Sequence, residues 1–298
     1  MAALTWTSWY GVYPVGMPFF RNEGHRLSYT SFGDGARTVV LVHGLLFNQK
    51  MHRPLAQALA ARGNRVVTLD LLGHGASDRP RDMTKYSMSI YGAQIVALLD
   101  HLEIDEAVLG GTSLGANASL EASVAAPERV RGMIVEMPVL DNALLACALA
   151  FTPLLVSLTF GAPVTRALAV AARRVPTSAE ALFWADVLLD TLRQDPGPSA
   201  AVLQGLFFGR IAPPKAVRRS IAAPALVIGH GRDPVHPFSD SDALAEELPD
   251  ARLLRADSFV ELRMSPARLT NEISDFVDEC WRPSGRARAT GGRRQRVA

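Results

Sequence analysis

A serine between glycines is the clearest candidate nucleophile in this chain. Ser113 lies in Gly111-Thr112-Ser113-Leu114-Gly115, which has the spacing Gly-x-Ser-x-Gly and follows an apolar run that ends at Leu109. A reactive serine at a turn from a strand into a helix needs small neighbours, because the turn is strained and backbones pass closely there. Its oxygen also gains the positive end of the helix dipole. The spacing therefore predicts that Ser113 is a nucleophile displayed above a sheet.

A second glycine turn could stabilise negative charge on a carbonyl oxygen under attack. Residues 38–42 form an apolar run that leads into His43-Gly44-Leu45-Leu46-Phe47. Backbone N–H groups at such a turn can donate to a developing oxyanion. We predict that the Leu45 N–H is one donor and that the Leu114 N–H is the second. His43 itself is expected to be structural.

Short apolar runs alternate with helix-period segments from about residue 38 onward. This alternation is typical of a parallel sheet with crossover helices, and uninterrupted apolar runs suit strands that are buried on both faces. The expected fold class is therefore α/β, a mostly parallel twisted sheet with helices on both faces. The predicted strands are 38–42, 65–69, 107–109, 133–135, 225–228 and 252–255, with a further strand around 25–31.

The alternation breaks between Leu140 and about Ser220, where helix-forming residues dominate and no strand-like run appears. Residues 142–165 contain no charge, and a membrane span needs about 20 such residues. Pro153, Gly161 and Pro163 interrupt the stretch, which lies between two strands of one sheet. We therefore expect a helical cap over an apolar pocket. A membrane-spanning helix is the less favoured alternative.

Both ends of the chain differ from its middle in composition. The first twenty residues contain six of the twenty-one aromatic side chains, which predicts an arm over residues 1–23 that packs against the domain. Contact of this arm with a membrane surface or a partner is the less favoured alternative. Six arginines fall in the last seventeen positions, and the composition of 282–298 predicts a disordered basic tail. The core is then expected at 24–139 and 221–281, and the cap at 140–220.

Charge and cysteine content exclude several classes of function. Without the tail arginines, 25 basic residues stand against 29 acidic ones, so the net charge of +2 gives no reason to expect a nucleic-acid surface. Cys147 and Cys280 are too few for a disulfide framework or a thiolate metal cluster. No group of His, Asp and Glu has metal-ligand spacing, so we expect no metal and no other cofactor. A cytoplasmic setting is the expectation, and the oligomeric state stays open.

These motifs together resemble the α/β-hydrolase superfamily over roughly residues 24 to 281. The resemblance rests on the His43-Gly44 turn, the loop 70–78, the elbow at Ser113, a helical cap in the matching place and the run 225–234. It implies an α/β-hydrolase fold and a triad in the chain order serine, acid, histidine. By this resemblance, the acid that follows the late strand is Asp233.

The histidine of that triad is missing from the place that the resemblance implies. The seven histidines lie at 25, 43, 52, 74, 101, 230 and 236, all before the last predicted strand. Alignment with the family places the expected histidine at Ser258, or one residue later at Phe259. Ser258 cannot accept a proton at neutral pH, so this alignment predicts that the general base is absent. In subtilisin the same loss costs about 10⁶ in kcat.

Other groups could repair or alter this site. His236 lies three residues after Asp233 and could reach Ser113, although a histidine in a proline-flanked loop is more often a surface or packing residue. His230 follows a strand directly, and a basic group on the substrate could also serve. Glu136, at the end of its strand, occupies a place where some family members carry their acid, so it is the alternative to Asp233.

Two kinds of function agree with this pattern. The first is a serine hydrolase that acts on an ester or related acyl group of a lipophilic small molecule, because the elbow, the oxyanion turn and the acid are all retained. The second is a ligand-binding protein that keeps an apolar pocket and has lost turnover, because the base is missing. A non-hydrolytic reaction in the same pocket, such as a lyase or isomerase step, also stays open.

Overall fold

A computed structural model describes residues 17–175 and 183–282, together with the backbone of residues 296 and 297. These residues form one nine-stranded sheet with helices on both faces. In chain order, the strands are β1 (Phe19–Asn22), β2 (His25–Phe32), β3 (Arg37–Val42), β4 (Asn64–Leu69), β5 (Ala107–Thr112), β6 (Val130–Glu136), β7 (Ala225–His230), β8 (Ala251–Ala256) and β9 (Arg296–Val297).

The sheet is parallel except at one edge. Its spatial order is β1-β2-β4-β3-β5-β6-β7-β8-β9. Neighbours from β4 to β9 are parallel, whereas β2 pairs antiparallel with β4 and β1 pairs antiparallel with β2. Because β3 lies between β4 and β5, the strand order reverses there. In open α/β sheets, ligands bind near such a reversal, at the carboxyl ends of the strands.

An apolar core lies on each face of the sheet and contains the inner faces of the helices packed there. One contains the inner faces of α2 and α3, and the other contains those of α1 and α11. The helices are α1 (Arg53–Ala61), α2 (Met88–His101), α3 (Leu114–Ala125), α4 (Leu144–Phe160), α5 (Ala162–Arg173), α6 (Phe183–Leu192), α7 (Pro196–Phe207), α8 (Lys215–Arg218), α9 (Phe238–Glu247), α10 (Glu261–Met264) and α11 (Ala267–Cys280).

The predicted strands are all present, and the predicted α/β class is confirmed. Three central strands extend further than their apolar runs. β5 continues to Thr112, β6 to Glu136 and β7 to His230, each within a paired ladder. These last residues carry no apolar signal because they lie at the carboxyl edge of the sheet, where polar side chains collect.

The described parts of the predicted arm and of the predicted tail each contain a strand. The end of the predicted arm is β1, which forms a hairpin with β2 around Glu23 and Gly24. Both of these residues have positive φ, the backbone that two-residue hairpin turns favour. Within the predicted basic tail, Arg296 and Val297 pair with β8, whose outer backbone groups would otherwise lack partners. Residues 1–16 and 283–295 lie outside the described part of the chain.

Helices α4 to α8 lie between β6 and β7, and a buried carboxylate anchors the start of this insertion. Asp240, on α9, is fully buried. It accepts hydrogen bonds from the N–H groups of Leu140, Asn142 and Ala143 at 2.7, 3.1 and 3.0 Å. These N–H groups lie at the entry to a helix, where the first turn lacks the carbonyl partners that later residues have. The Ala143 N–H also donates to the Leu140 oxygen at 3.3 Å. Asp240 therefore ties the first turn of the insertion to the core.

A buried amide on α3 joins both borders of the insertion. Asn117 donates through Nδ2 to the carbonyls of Val139 and Ile211 at 2.7 and 2.6 Å. Its Oδ1 accepts the Val139 N–H at 3.1 Å. Since residue 139 precedes α4 and residue 211 follows α7, one side chain holds the chain where it leaves the core and where it returns.

Ion pairs attach the middle of the insertion to the core. The Nζ of Lys50, in the loop before α1, lies 3.1 Å from Asp186 and 2.7 Å from Asp190, both on α6. The Arg193 guanidinium contacts the same two carboxylates at 2.8 and 2.9 Å. These side chains are 11 to 13% exposed, so water screens their attraction less than at an open surface.

A polar cluster of Thr112, Glu136, His230 and Arg263, the Glu136 cluster, joins the carboxyl ends of β5, β6 and β7. The Glu136 carboxylate accepts hydrogen bonds from Thr112 and Arg263, and it lies 3.1 Å from His230 Nε2. Burial acts to raise the pKa of Glu136, but the Arg263 charge and the hydrogen bonds from His230 and Arg263 hold it well below its ordinary value. Burial acts to lower the pKa of His230, yet the hydrogen bond and charge of Glu136 raise it.

Glu136→Gln should lower the free energy of unfolding at pH 7 by about 3–5 kcal/mol, because it leaves the Arg263 charge without its partner. The Glu136 pKa is lower in the folded than in the unfolded chain. Its contribution is therefore present above the unfolded pKa of about 4.3 and is lost as the pH falls through the folded value. Urea unfolding at pH 7 and at a series of acidic pH values measures both effects. Wild type should lose more stability on acidification than the variant.

An exposed ion pair provides the control for this measurement. Asp275 is 65% exposed and lies 2.7 Å from Arg62, so Asp275→Asn should change the stability by less than about 1 kcal/mol. Equal losses in the two variants, or an acid slope that Glu136→Gln leaves unchanged, would contradict the role of the cluster.

Asp240→Ala should loosen the entry to the insertion, because the buried Leu140 N–H loses its acceptor at about 1–3 kcal/mol and the Asn142 and Ala143 N–H groups lose the same carboxylate. Hydrogen exchange read by mass spectrometry should be faster at residues 140–143 and unchanged in α11. A parallel increase in both peptides would mean that Asp240 supports the whole domain and not this border.

Candidate active site

The turn from β5 into α3 holds Ser113 in a strained backbone conformation. Its φ of 54° and ψ of −109° lie outside the regions that residues with a side chain ordinarily adopt. Two glycines allow the close approach. A Cβ on Gly111 would lie 2.2 Å from the carbonyl carbon of Gly115, and one on Gly115 would lie 2.1 Å from the Val42 oxygen. The predicted elbow is therefore present, with Ser113 at the N-terminus of α3.

The structure brings His236 to the Ser113 hydroxyl. His236 Nε2 lies 2.9 Å from Ser113 Oγ, and His236 Nδ1 lies 3.0 Å from Asp233 Oδ2. An ionised carboxylate can only accept hydrogen bonds, so Nδ1–H donates to Asp233 and Nε2 is left to accept the serine proton. The three side chains have the arrangement of a serine–histidine–acid triad.

Asp233 also organises the loop that carries His236. Its Oδ1 accepts hydrogen bonds from the N–H groups of Val235 and His236 at 2.8 and 2.9 Å. Burial acts to raise the pKa of Asp233, but the hydrogen bond and charge of the His236 ring, together with the two N–H groups, lower it below its ordinary value. The carboxylate is therefore ionised at neutral pH and positions both the backbone and the ring of His236.

The expectation from the family alignment that the general base is absent disagrees with this geometry, whereas the alternative that His236 reaches Ser113 agrees with it. The observation behind it stands, since every histidine precedes β8 in the chain. Ser258 does follow β8, but its carbonyl accepts the Nδ1–H of His230 at 2.8 Å. The ring beside Ser113 comes instead from the loop between β7 and α9. The prediction failed because it located the base by its order along the chain, whereas a hydrogen bond requires only proximity.

The remaining candidates for base and acid have other partners. His230 uses one ring nitrogen on the Ser258 carbonyl and the other on Glu136, so neither nitrogen is directed at Ser113. Glu136 is engaged by Arg263 and Thr112. Of the two carboxylates considered from the sequence, Asp233 is the one that contacts His236.

The two residues predicted to supply oxyanion donors, Leu45 and Leu114, line the same cavity as Ser113. The Leu114 N–H begins α3 and has no acceptor within its own helix. The turn after Leu45 is held from the cap, because the Leu46 carbonyl accepts hydrogen bonds from Thr191 Oγ1 at 3.0 Å and Gln194 Nε2 at 2.9 Å. This restraint joins residues far apart in the chain, and no sequence pattern signals it.

His43 supports the same turn from below. Its Nδ1 donates to the Gly44 carbonyl at 2.8 Å, and its Nε2 accepts the Leu71 N–H at 3.1 Å. Burial is the main cause that lowers the pKa of His43, so the ring is neutral at pH 7. These contacts agree with the structural role expected for His43.

An apolar cavity of about 370 Å³ adjoins Ser113. Cavities of this size, lined by apolar side chains with few polar groups, are typical of small-molecule sites. Cys147 lies in the wall of this cavity. Burial raises the pKa of its thiol to about 11, so the thiol is neutral at pH 7. The cap supplies most of the apolar lining, from Leu144, Cys147 and Phe151 on α4 and Leu203, Leu206 and Phe207 on α7.

Known proteins share short segments of this sequence. The 2-hydroxymuconate semialdehyde hydrolase of Pseudomonas sp. (strain CF600) is 39% identical over 75 residues, which are 25% of this chain and 26% of that protein. The dihydrolipoyllysine-residue acetyltransferase component of the acetoin cleaving system of Pseudomonas putida is 39% identical over 104 residues, which are 34% of this chain and 26% of that protein. The chain thus spans about a quarter of the length of each of these relatives.

The likeness to solved structures covers the whole architecture. The enol-lactonase from Burkholderia xenovorans LB400 superposes with a TM-score of 0.70 at 23% identity, over 88% of this chain and 100% of that chain. At this identity the likeness shows a shared fold. The family model of the alpha/beta hydrolase fold matches residues 37–258. These residues run from β3 through the elbow and the cap to the end of β8, and the chain belongs to the alpha/beta hydrolase fold family.

Proposed function

We propose that this protein is a serine hydrolase that acts on an ester or related acyl group of a lipophilic small molecule. Ser113 is the nucleophile, His236 the general base and Asp233 the acid that orients it. The observation that carries the proposal is the continuous hydrogen-bonded chain, with 2.9 Å from Ser113 Oγ to His236 Nε2 and 3.0 Å from His236 Nδ1 to Asp233. A hydrolase among the relatives supports the reaction class.

In the proposed reaction, His236 Nε2 takes the Ser113 proton as Oγ attacks the acyl carbon. The Leu45 and Leu114 N–H groups donate to the oxyanion of the tetrahedral intermediate, where one such donor is worth about 10²–10³ in kcat. The imidazolium then protonates the leaving group. Water, deprotonated by the same ring, releases the acyl group from the serine. Asp233 stays ionised throughout and stabilises the imidazolium.

The lining of the cavity supports a lipophilic substrate. Its walls are aliphatic and aromatic, and the Nδ2 of Asn117, a polar side chain in the lining, is already bonded to two backbone carbonyls. Burying a polar substrate group against such walls would leave that group without a partner, at a cost of about 1–3 kcal/mol. The enol-lactonase among the structural neighbours is named for a cyclic ester, which supports the ester class.

A ligand-binding protein without turnover is the alternative. The argument for it was the missing histidine after the last strand. The contact between His236 and Ser113 weakens that argument. The same cavity could serve either function, so the reactivity of Ser113 separates them.

A fluorophosphonate probe should label wild type at Ser113, because the hydroxyl is activated by a base. Mass spectrometry of the labelled peptide identifies the site, and Ser113→Ala should abolish labelling. His236→Ala should slow ester turnover by about 10⁴–10⁶, the range that loss of one triad group produces.

His230→Ala is the matched control, since both nitrogens of that ring bind other groups. Once circular dichroism has shown that the variants are folded, His230→Ala should retain most of the labelling rate. Folded wild type without a label, or equal losses in the two histidine variants, would overturn the proposal.

Ser258→His tests whether the site lacks a base. Because the place beside Ser113 Oγ is already taken by His236, the added ring should leave kcat/KM for acyl esters little changed. A large gain in turnover over a nearly inactive wild type would favour the ligand-binding alternative instead.

A further inference from the structure

A row of large apolar side chains is exposed on the outer side of the cap. On α4, Leu145, Leu149, Val156 and Phe160 are 72, 69, 49 and 82% exposed within the described chain. Their spacing of four, seven and four residues places them along one helix face. On α5, Val164 and Leu168 are 64 and 62% exposed. These six residues are called the cap stripe below.

The other face of α4 belongs to the cavity, to which it contributes Cys147 and Phe151. The segment Asp141–Phe160 contains an 18-residue window with a mean hydropathy of 2.1, and it is long and apolar enough to cross a membrane. Crossing would break the hydrogen bonds of Asp240 at its start and open the cavity wall. A helix that is bound on one face and apolar on the other suits a position along a bilayer surface.

The charged side chains within the two helices that carry the cap stripe are of one sign. Residues 142–174 contain three charged side chains, Arg166, Arg173 and Arg174, and no acidic residue. Guanidinium groups form strong, charge-assisted hydrogen bonds with phosphate oxygens. Apolar side chains together with basic ones are the composition of segments that bind anionic membranes.

We propose that the cap stripe docks the protein on an anionic phospholipid surface. Its apolar side chains enter the boundary of the acyl layer, and the three arginines meet the phosphates. The cavity lies directly behind this surface. Phe207, at the end of α7, is 40% exposed and also lines the cavity, so an apolar molecule dissolved in the bilayer has a short path to Ser113.

Two other occupants fit the stripe less well. A twofold dimer through the same face would bring the like charges of both copies together, because such an interface is self-complementary. The second candidate occupant is the segment 1–16, which is rich in Trp and Tyr. The described chain begins after it at Met17, which lies near Lys50 and Arg53. Residues 1–16 contain no acidic residue, so they offer the arginines no counter-charge.

Flotation of the full chain with lipid vesicles tests the proposal. Wild type should float with vesicles of phosphatidylcholine and phosphatidylglycerol, and more weakly with phosphatidylcholine alone. Leu145→Gln with Phe160→Gln should lower the partition coefficient by about tenfold or more, because two large side chains no longer leave water. Arg166→Gln with Arg173→Gln should lower it by about fivefold per charge and reduce the preference for the anionic lipid.

Val124→Gln is the control, since Val124 is 36% exposed near the C-terminus of α3, at the end of the helix away from the elbow. It should bind as wild type does. Ser113→Ala should also float, which separates this inference from the proposed hydrolase activity. Absence of flotation, or an equal effect of Val124→Gln, overturns the proposal. A dimer that Leu145→Gln with Phe160→Gln disrupts, or flotation that appears only after removal of residues 1–16, would assign the stripe to a second copy or to the arm.

Discussion

The contact between Asp233 and His236 is the interaction on which the rest of the candidate site depends. One carboxylate oxygen holds the backbone of Val235 and His236, and the other holds the His236 ring. The orientation of the His236 ring is therefore set within one short loop. What the fold must add is the distance from this loop to Ser113, and the sheet sets it, because β5 and β7 are separated by β6 alone.

The end of β6 shows why the site takes this form. Glu136 lies between the elbow and the loop that carries His236, but Arg263 and His230 engage its carboxylate. His230 in turn holds the carbonyl of Ser258. The position that the family resemblance implies for the base is thus part of a structural contact. A buried charge that is paired in this way ties three strand ends together.

The cap contributes to the candidate site in two ways. Its inner residues line the cavity, and Thr191 and Gln194 restrain the turn that presents the Leu45 N–H. Its attachment depends on Asp240, Asn117 and Lys50, polar anchors at the start, the borders and the middle of the insertion. Because the apolar content of α4 exceeds what the cavity can cover, one face of that helix stays exposed.

Local patterns in the sequence determined the strands, the elbow at Ser113 and the helical insertion, because each depends on residues that are close together in the chain. The exact ends of β5, β6 and β7 were missed, since polar residues at strand ends carry no apolar signal. Only the tertiary structure decided that His236 reaches Ser113, across 123 positions of chain, and that Glu136 is paired with Arg263. It also decided which face of α4 is exposed, because a helix that is apolar all round has no polar side to mark its outer face. Contacts of this kind follow from the order of strands in the sheet, which the spacing of residues along the chain does not express.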